Sequence, residues 1–145
     1  MLSEAHYESA LNFFFFLLLD EEASLHCALR VIKGTQKKSK NRDIKKIETL
    51  LIGQMAGELR RALKKEQRAP TPLPKSDWKP PSQDDFATWK DFLRRAEMDS
   101  AEALVLRFIL NYPVETIAEA LEVPEGTIYF RLGRGLEAYT GGRYG

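Results

Sequence analysis

The chain contains a single cysteine, Cys27, so no intramolecular disulfide can form. Long apolar segments are also missing, because the longest run, FFFFLLL at residues 13–19, is well below the ~20 residues that span a bilayer. No basic N-terminal region precedes an apolar stretch with a small-residue cleavage site. These absences predict a cytoplasmic protein without membrane insertion, in which the phenylalanine run belongs to a buried helix.

Catalytic and metal-binding patterns are missing as well. The two histidines, His6 and His26, are twenty residues apart with one cysteine nearby, which is not the spacing of zinc ligands. No phosphate-binding loop, dinucleotide fingerprint or nucleophile motif occurs. We therefore expect no enzyme activity, no metal site and no cofactor.

Strand patterns are absent, whereas helical patterns cover most of the chain, so the predicted fold class is all-α. Ser3 is expected to cap a helix that ends near residue 18, and Asp20 to open a second helix that Gly34 ends. Apolar residues at steps of three and four predict a long third helix, through Ile44, Ile47, Leu51, Met55, Leu59 and Leu63.

Charge is unevenly distributed although the net charge is only +1. Residues 1–29 hold five acidic side chains and no Lys or Arg, and a basic cluster follows directly. Two explanations stay open for this cluster: a solvated loop, or a patch that binds phosphate or an acidic partner. The candidate patch consists of Lys33, Lys37, Lys38, Lys40, Arg42, Lys45 and Lys46.

Five of the seven prolines lie in one segment, RAPTPLPKSDWKPPSQ at residues 68–83. Proline and the residue before it disfavour helix, so the segment is expected to be an extended linker. The predicted organisation is two small helical domains, at 1–68 and 85–145, joined by a Pro-rich linker at 69–84.

The second domain begins with an aromatic pattern that predicts a helix with Phe86, Trp89 and Phe92 in its core. Ser100 is then expected to cap a further helix that buries Leu104 and Phe108.

A helix-turn-helix follows in the sequence. A short helix containing the small residue Ala118 is separated from the last helix by the turn EVP at 122–124. The small residue is needed because the two helices cross closely there. In the last helix, Ile128, Leu132 and Leu136 are expected to face inward.

The stretches EALVLRFIL, VETIAEALEVPEGTI and RLGRGLE resemble region 4 of the sigma-70 family, specifically of its extracytoplasmic-function (ECF) sigma factors. The resemblance implies a sigma region 2-like first domain and a region 4-like helix-turn-helix as the second. It further implies transcription initiation through binding of RNA polymerase core and recognition of the −35 element of promoter DNA. An anti-sigma factor is a further partner that the resemblance implies.

The chain departs from the family in both domains. ASLHCALRVIKG, at residues 23–34, stands where the family's second region 2 helix carries an acidic, glutamine-containing polymerase-binding pattern. Tyr129 and Phe130 stand where family members usually have Lys and Ser. By resemblance, the surface that enters the major groove consists of Thr127, Tyr129, Phe130, Arg131 and Arg134.

Two functions follow from these departures. With Arg131 and Arg134 present, we expect promoter contact to be retained but weakened. The alternative is a degenerate sigma-like protein, a sigma mimic, that binds an anti-sigma factor or other regulatory protein through Tyr129 and Phe130 without reading promoters. Gly135 matches a small inward residue of the family, whereas Gly133 has no such counterpart.

Overall fold

A computed structural model describes residues 2–39, 46–64 and 86–140, and no strand occurs in these ranges. The chain divides into two compact units, Met1–Pro80 and Pro81–Gly145. The all-α fold class with two helical domains is thus confirmed. The predicted linker at 69–84 lies outside the described residues.

The described residues of the first unit form three helices: α1 (Glu4–Leu18), α2 (Glu21–Ser39) and α3 (Ile47–Lys64). Ser3 caps α1 as predicted, since its hydroxyl accepts from the backbone N–H of His6 and the His6 ring accepts from the Ser3 N–H at 3.0 Å. The Asp20 carboxylate accepts from the Ala23 N–H at 3.0 Å and so opens α2. Sequence capping signals therefore place both helix starts correctly.

The core of the first unit is built around the phenylalanine run. Helix α1 packs against both α2 and α3, so its apolar side chains are buried on more than one side. The Phe13 and Phe14 rings meet edge to face at 5.0 Å, and both are fully buried. Among the residues predicted for the apolar face of α3, Leu51, Met55 and Leu59 are buried. Ile44 lies outside the described residues.

The prediction that Gly34 ends the second helix is wrong, because α2 continues to Ser39. A Cβ at Gly34 would lie 2.9 Å from Oε1 of Gln54 on α3. The end of the Gln54 side chain thus occupies the space beside Gly34 within the continuous helix α2.

The second unit contains α4 (Phe86–Arg95), α5 (Met98–Leu104), α6 (Val114–Leu121) and α7 (Glu125–Tyr139), with a π-helical turn at Val105–Ile109 directly after α5. Helix α7 is in contact with α4, α5 and α6 and is the centre of this unit. The predicted aromatic core of α4 is confirmed, since Phe86, Trp89 and Phe92 are buried.

Two predictions about the next helix are wrong. Ser100 does not cap it, because α5 begins at Met98 with Glu97 at the N-cap position, and Ser100 is buried inside the helix. Phe108 is 55% exposed rather than buried. A π turn follows α5, shown by the bond from Leu110 N–H to the Val105 carbonyl at 2.9 Å, so the regular α-helical spacing on which the prediction for Phe108 rested does not continue here.

Candidate DNA-binding site

Helices α6 and α7 form the predicted helix-turn-helix. Helix α6 ends at Leu121 and α7 begins at Glu125, which leaves a turn of three residues. Glu122 adopts the left-handed conformation at φ 59°, and the Val123 N–H donates to the Ala118 carbonyl at 3.1 Å. Ala118 is buried, as expected for a small residue where the two helices cross.

One face of α7 is fixed by packing. Ile128, Leu132 and Gly135 are buried, whereas Leu136, predicted to face inward, is 46% exposed. A Cβ at Gly135 would lie 2.8 Å from Cγ of Leu104 and 3.2 Å from the Ser100 carbonyl oxygen. The prediction for Leu136 is wrong because α5 contacts α7 at the adjacent glycine.

The opposite face of α7 is open to solvent. Tyr129 and Phe130 are 60% and 65% exposed, although both are large aromatic side chains. Thr127 is half-buried near the start of the helix. Gly133 is exposed, and a Cβ there would meet nothing within 4 Å. The described side chains therefore leave this part of α7 accessible to a large ligand.

Both candidate arginines lie beside carboxylates at the start of α5. Arg134 Nη2 is 2.6 Å from Glu97 Oε1, and Arg131 Nη2 is 3.8 Å from Asp99 Oδ2. The Arg134 guanidinium carbon also lies 5.8 Å from the centre of the Phe130 ring. The structure thus brings Phe130, Arg131 and Arg134 together, and it adds two acidic residues that the sequence did not suggest. Glu97 is 37 positions from Arg134, so no local pattern could indicate this pair.

The basic patch is only partly described. Lys33, Lys37 and Lys38 are exposed on α2, and Lys46 is exposed just before α3. Lys40, Arg42 and Lys45 lie outside the described residues. The described members therefore include three lysines on the C-terminal half of α2. Positive charge near this end interacts favourably with the negative end of the helix dipole.

Cys27 is buried in the first unit. Burial and, to a smaller extent, the nearby Glu58 carboxylate together raise the pKa of its thiol from 9.0 to about 12. The thiol therefore keeps its proton at neutral pH and is a poor nucleophile. Across the residues that the structure describes, no group of three His, Cys, Asp or Glu side chains converges on a metal position.

Comparisons with known proteins bear on the second unit and on the fold. Residues 99–138 match the family model for sigma-70, region 4. Among solved structures, the chain resembles the sigma factor RpoE from Bartonella quintana, solved in complex with the anti-sigma factor NepR. That match has a TM-score of 0.64 and 15% sequence identity, and it covers 94% of this chain and 90% of that one. A search of curated proteins finds no match.

The α6–α7 geometry is that of a helix-turn-helix, and it lies within the stretch that is similar to sigma-70, region 4. The region 4 match and the structural match confirm the resemblance to ECF sigma factors of the sigma-70 family. In the described ranges, every helix is too short or too polar to cross a membrane.

Proposed function

We propose that this protein is an ECF-type sigma factor that initiates transcription by binding RNA polymerase core and recognising the −35 promoter element through α7. The observation that carries the proposal is the exposed face of α7, within a stretch that matches sigma-70 region 4. The second helix of a helix-turn-helix is the element that enters the major groove. The protein then acts in the cytoplasm, where it meets polymerase and promoter.

In this proposal each residue of the α7 face has a role that its chemistry supports. Arg131 and Arg134 bind a guanine edge or a phosphate, because a guanidinium can donate two parallel hydrogen bonds. Tyr129 and Phe130 contact thymine methyl groups, and Thr127 contacts the backbone near the helix start. The exposed lysines of α2 and Lys46 provide a second positive surface for phosphate or for an acidic partner.

The first domain, at 1–68, is proposed to bind polymerase, and the segment 69–84 to be the linker to the second domain. Since the RpoE structure contains the anti-sigma factor NepR, an anti-sigma factor is also proposed as a partner here.

The test replaces Arg131 and Arg134 together by Ala and measures binding of the full chain to duplex DNA by fluorescence anisotropy at several salt concentrations. Each lost phosphate contact should lower the slope of log K against log salt by about 1, and each lost base contact should weaken binding by about 1–3 kcal/mol. Arg95→Ala is the matched control, because Arg95 is also exposed and ion-paired, to Asp91 at 3.2 Å. Unchanged affinity in the double variant would rule out α7 as the DNA-reading helix.

The sigma mimic is the second candidate, and the exposure of Tyr129 and Phe130 favours it. Two adjacent aromatic side chains at 60% and 65% exposure are typical of protein-binding surfaces, where Tyr and Phe are enriched. The ion pairs of Arg131 and Arg134 with carboxylates of the same unit also favour the mimic. A pull-down of tagged protein from its native lysate separates the candidates. Recovery of polymerase core subunits supports the sigma factor, whereas a small anti-sigma-like protein without polymerase supports the mimic.

A further inference from the structure

Two carboxylates at the start of α5 face the two arginines of α7, with Glu97 opposite Arg134 and Asp99 opposite Arg131. We propose that Glu97 and Asp99 set the DNA affinity of the α7 surface, by holding these arginines as intramolecular counter-ions that nucleic-acid phosphate must displace. This inference rests on the proposed function of α7 and deepens it.

The position of Glu97 indicates that its carboxylate is committed to Arg134. Glu97 occupies the N-cap of α5, where Ser, Thr, Asn or Asp normally accepts a hydrogen bond from the first turn. Its side chain makes no capping hydrogen bond. Instead Oε1 accepts from Arg134 Nη2 at 2.6 Å, a short charge-assisted bond. The residue type at this position is therefore explained by the contact with α7 rather than by the start of α5.

The Phe130 ring stabilises the same arrangement from within α7. Phe130 and Arg134 are four positions apart, which places them on one side of the helix. With the guanidinium carbon 5.8 Å from the ring centre, the cation is held against the ring and the Glu97 carboxylate together. Arg134 is thus turned toward the start of α5, and it must leave or share this carboxylate when it binds a phosphate.

The ion pairs are exposed, and this limits their strength. The side chain of Glu97 is 66% exposed and that of Asp99 is 56% exposed. Exposed pairs are weak and are screened by salt, so they reduce affinity without blocking DNA. The carboxylates also repel the phosphate backbone directly, and both effects act in the same direction.

The test compares the full chain with Glu97→Gln, Asp99→Asn and the double variant, using a pool of short random-sequence duplexes and fluorescence anisotropy. Each amide keeps the shape of the carboxylate and removes its charge. We expect DNA affinity to rise about two- to fivefold for each change and about tenfold for both, at about 50 mM salt. The gain should shrink toward about 200 mM salt, because screening weakens the pairs that the variants lack.

Asp91→Asn is the matched control, because it removes one negative charge from an exposed aspartate that pairs with Arg95 on α4. The control should leave affinity within about twofold of wild type, because Asp91 pairs with Arg95 rather than with an arginine of α7. Glu97→Ser is a second test variant, since it removes the charge and supplies a preferred capping residue that protects the fold of α5.

Tighter binding by the Glu97 and Asp99 variants, with the control unchanged, supports the proposal. Equal or weaker binding by these variants, while wild type binds DNA, overturns it, since the carboxylates would then only orient the arginines or play no part. If neither wild type nor any variant binds DNA at low salt, promoter reading itself is wrong and this inference fails with it.

Discussion

Helix α5 approaches α7 closely at Gly135 but not at Gly133, so replacing these two glycines of α7 by Ala should have different effects on stability. Replacing a helical Gly by Ala raises the free energy of unfolding by about 0.5–1 kcal/mol when the new Cβ displaces no neighbouring atom. Gly133→Ala should show this gain, because its new Cβ meets nothing within 4 Å. Gly135→Ala should not, because its Cβ would lie 2.8 Å from Cγ of Leu104 and 3.2 Å from a backbone carbonyl oxygen.

The magnitude for Gly135 follows from two opposing terms. Overpacking a buried site typically lowers the free energy of unfolding by about 1–3 kcal/mol, and the helix gain offsets about 0.5–1 kcal/mol of that. The expected net loss is about 1 kcal/mol, so the two substitutions should change stability in opposite directions. For a domain of this size, 1 kcal/mol shifts Tm by about 4–8 °C.

The assay is urea denaturation followed by Trp89 fluorescence, with Trp78 replaced by Phe so that the emission comes from one residue. Trp89 is buried with its ring 4.9 Å from Phe92 and 6.5 Å from Tyr139, so its emission reports on unfolding of the second unit. If Gly135→Ala stabilises this unit as much as Gly133→Ala does, the tight contact with α5 is refuted.

Three further predictions concern burial. Burial raises the pKa of the Cys27 thiol from 9.0 to about 12, so the stability that this thiol contributes is complete below pH 9 and declines as the pH rises to about 12. Cys27→Ala should flatten this decline in pH-dependent denaturation, and a steeper decline would contradict the prediction. Gly34→Ala should raise the Tm of the first unit, because Ala favours helix over Gly and the nearest atom to the new Cβ, at 2.9 Å, is the mobile amide oxygen of Gln54. A lower Tm would mean that the Gln54 side chain cannot move. Phe92 is buried, so Phe92→Ala should lower the free energy of unfolding by about 3–5 kcal/mol. Phe108 is exposed, so the free energy of unfolding of Phe108→Ser should stay within about 0.5 kcal/mol of wild type. Equal losses for the two variants in denaturation would contradict the exposure of Phe108.

Local signals predicted many of the helices because they act between neighbours in the chain. Ser3 and Asp20 bond to N–H groups three residues away, so their types alone indicate where α1 and α2 begin. Ala118 and the turn at 122–124 likewise indicate the helix-turn-helix, since a small residue and a left-handed turn position are both local requirements.

The same local reasoning failed at Gly34 and at Phe108. Gly34 has the residue type of a helix end, yet it lies inside α2 beside the Gln54 side chain of α3. Phe108 has the spacing of a core residue, but it lies exposed in the π turn, and the periodicity that predicted its burial assumes a regular α-helix.

The sequence by itself determined the helical class and the helix-turn-helix, because periodicity and capping depend on near neighbours. Only the tertiary structure decided the surroundings of Arg131 and Arg134. Their carboxylate partners come from α5, through side chains that meet only after α5 has packed against α7 at Gly135. Ion pairs between distant segments leave no periodic trace in a sequence, so the charge that DNA would meet on α7 is a property of the fold.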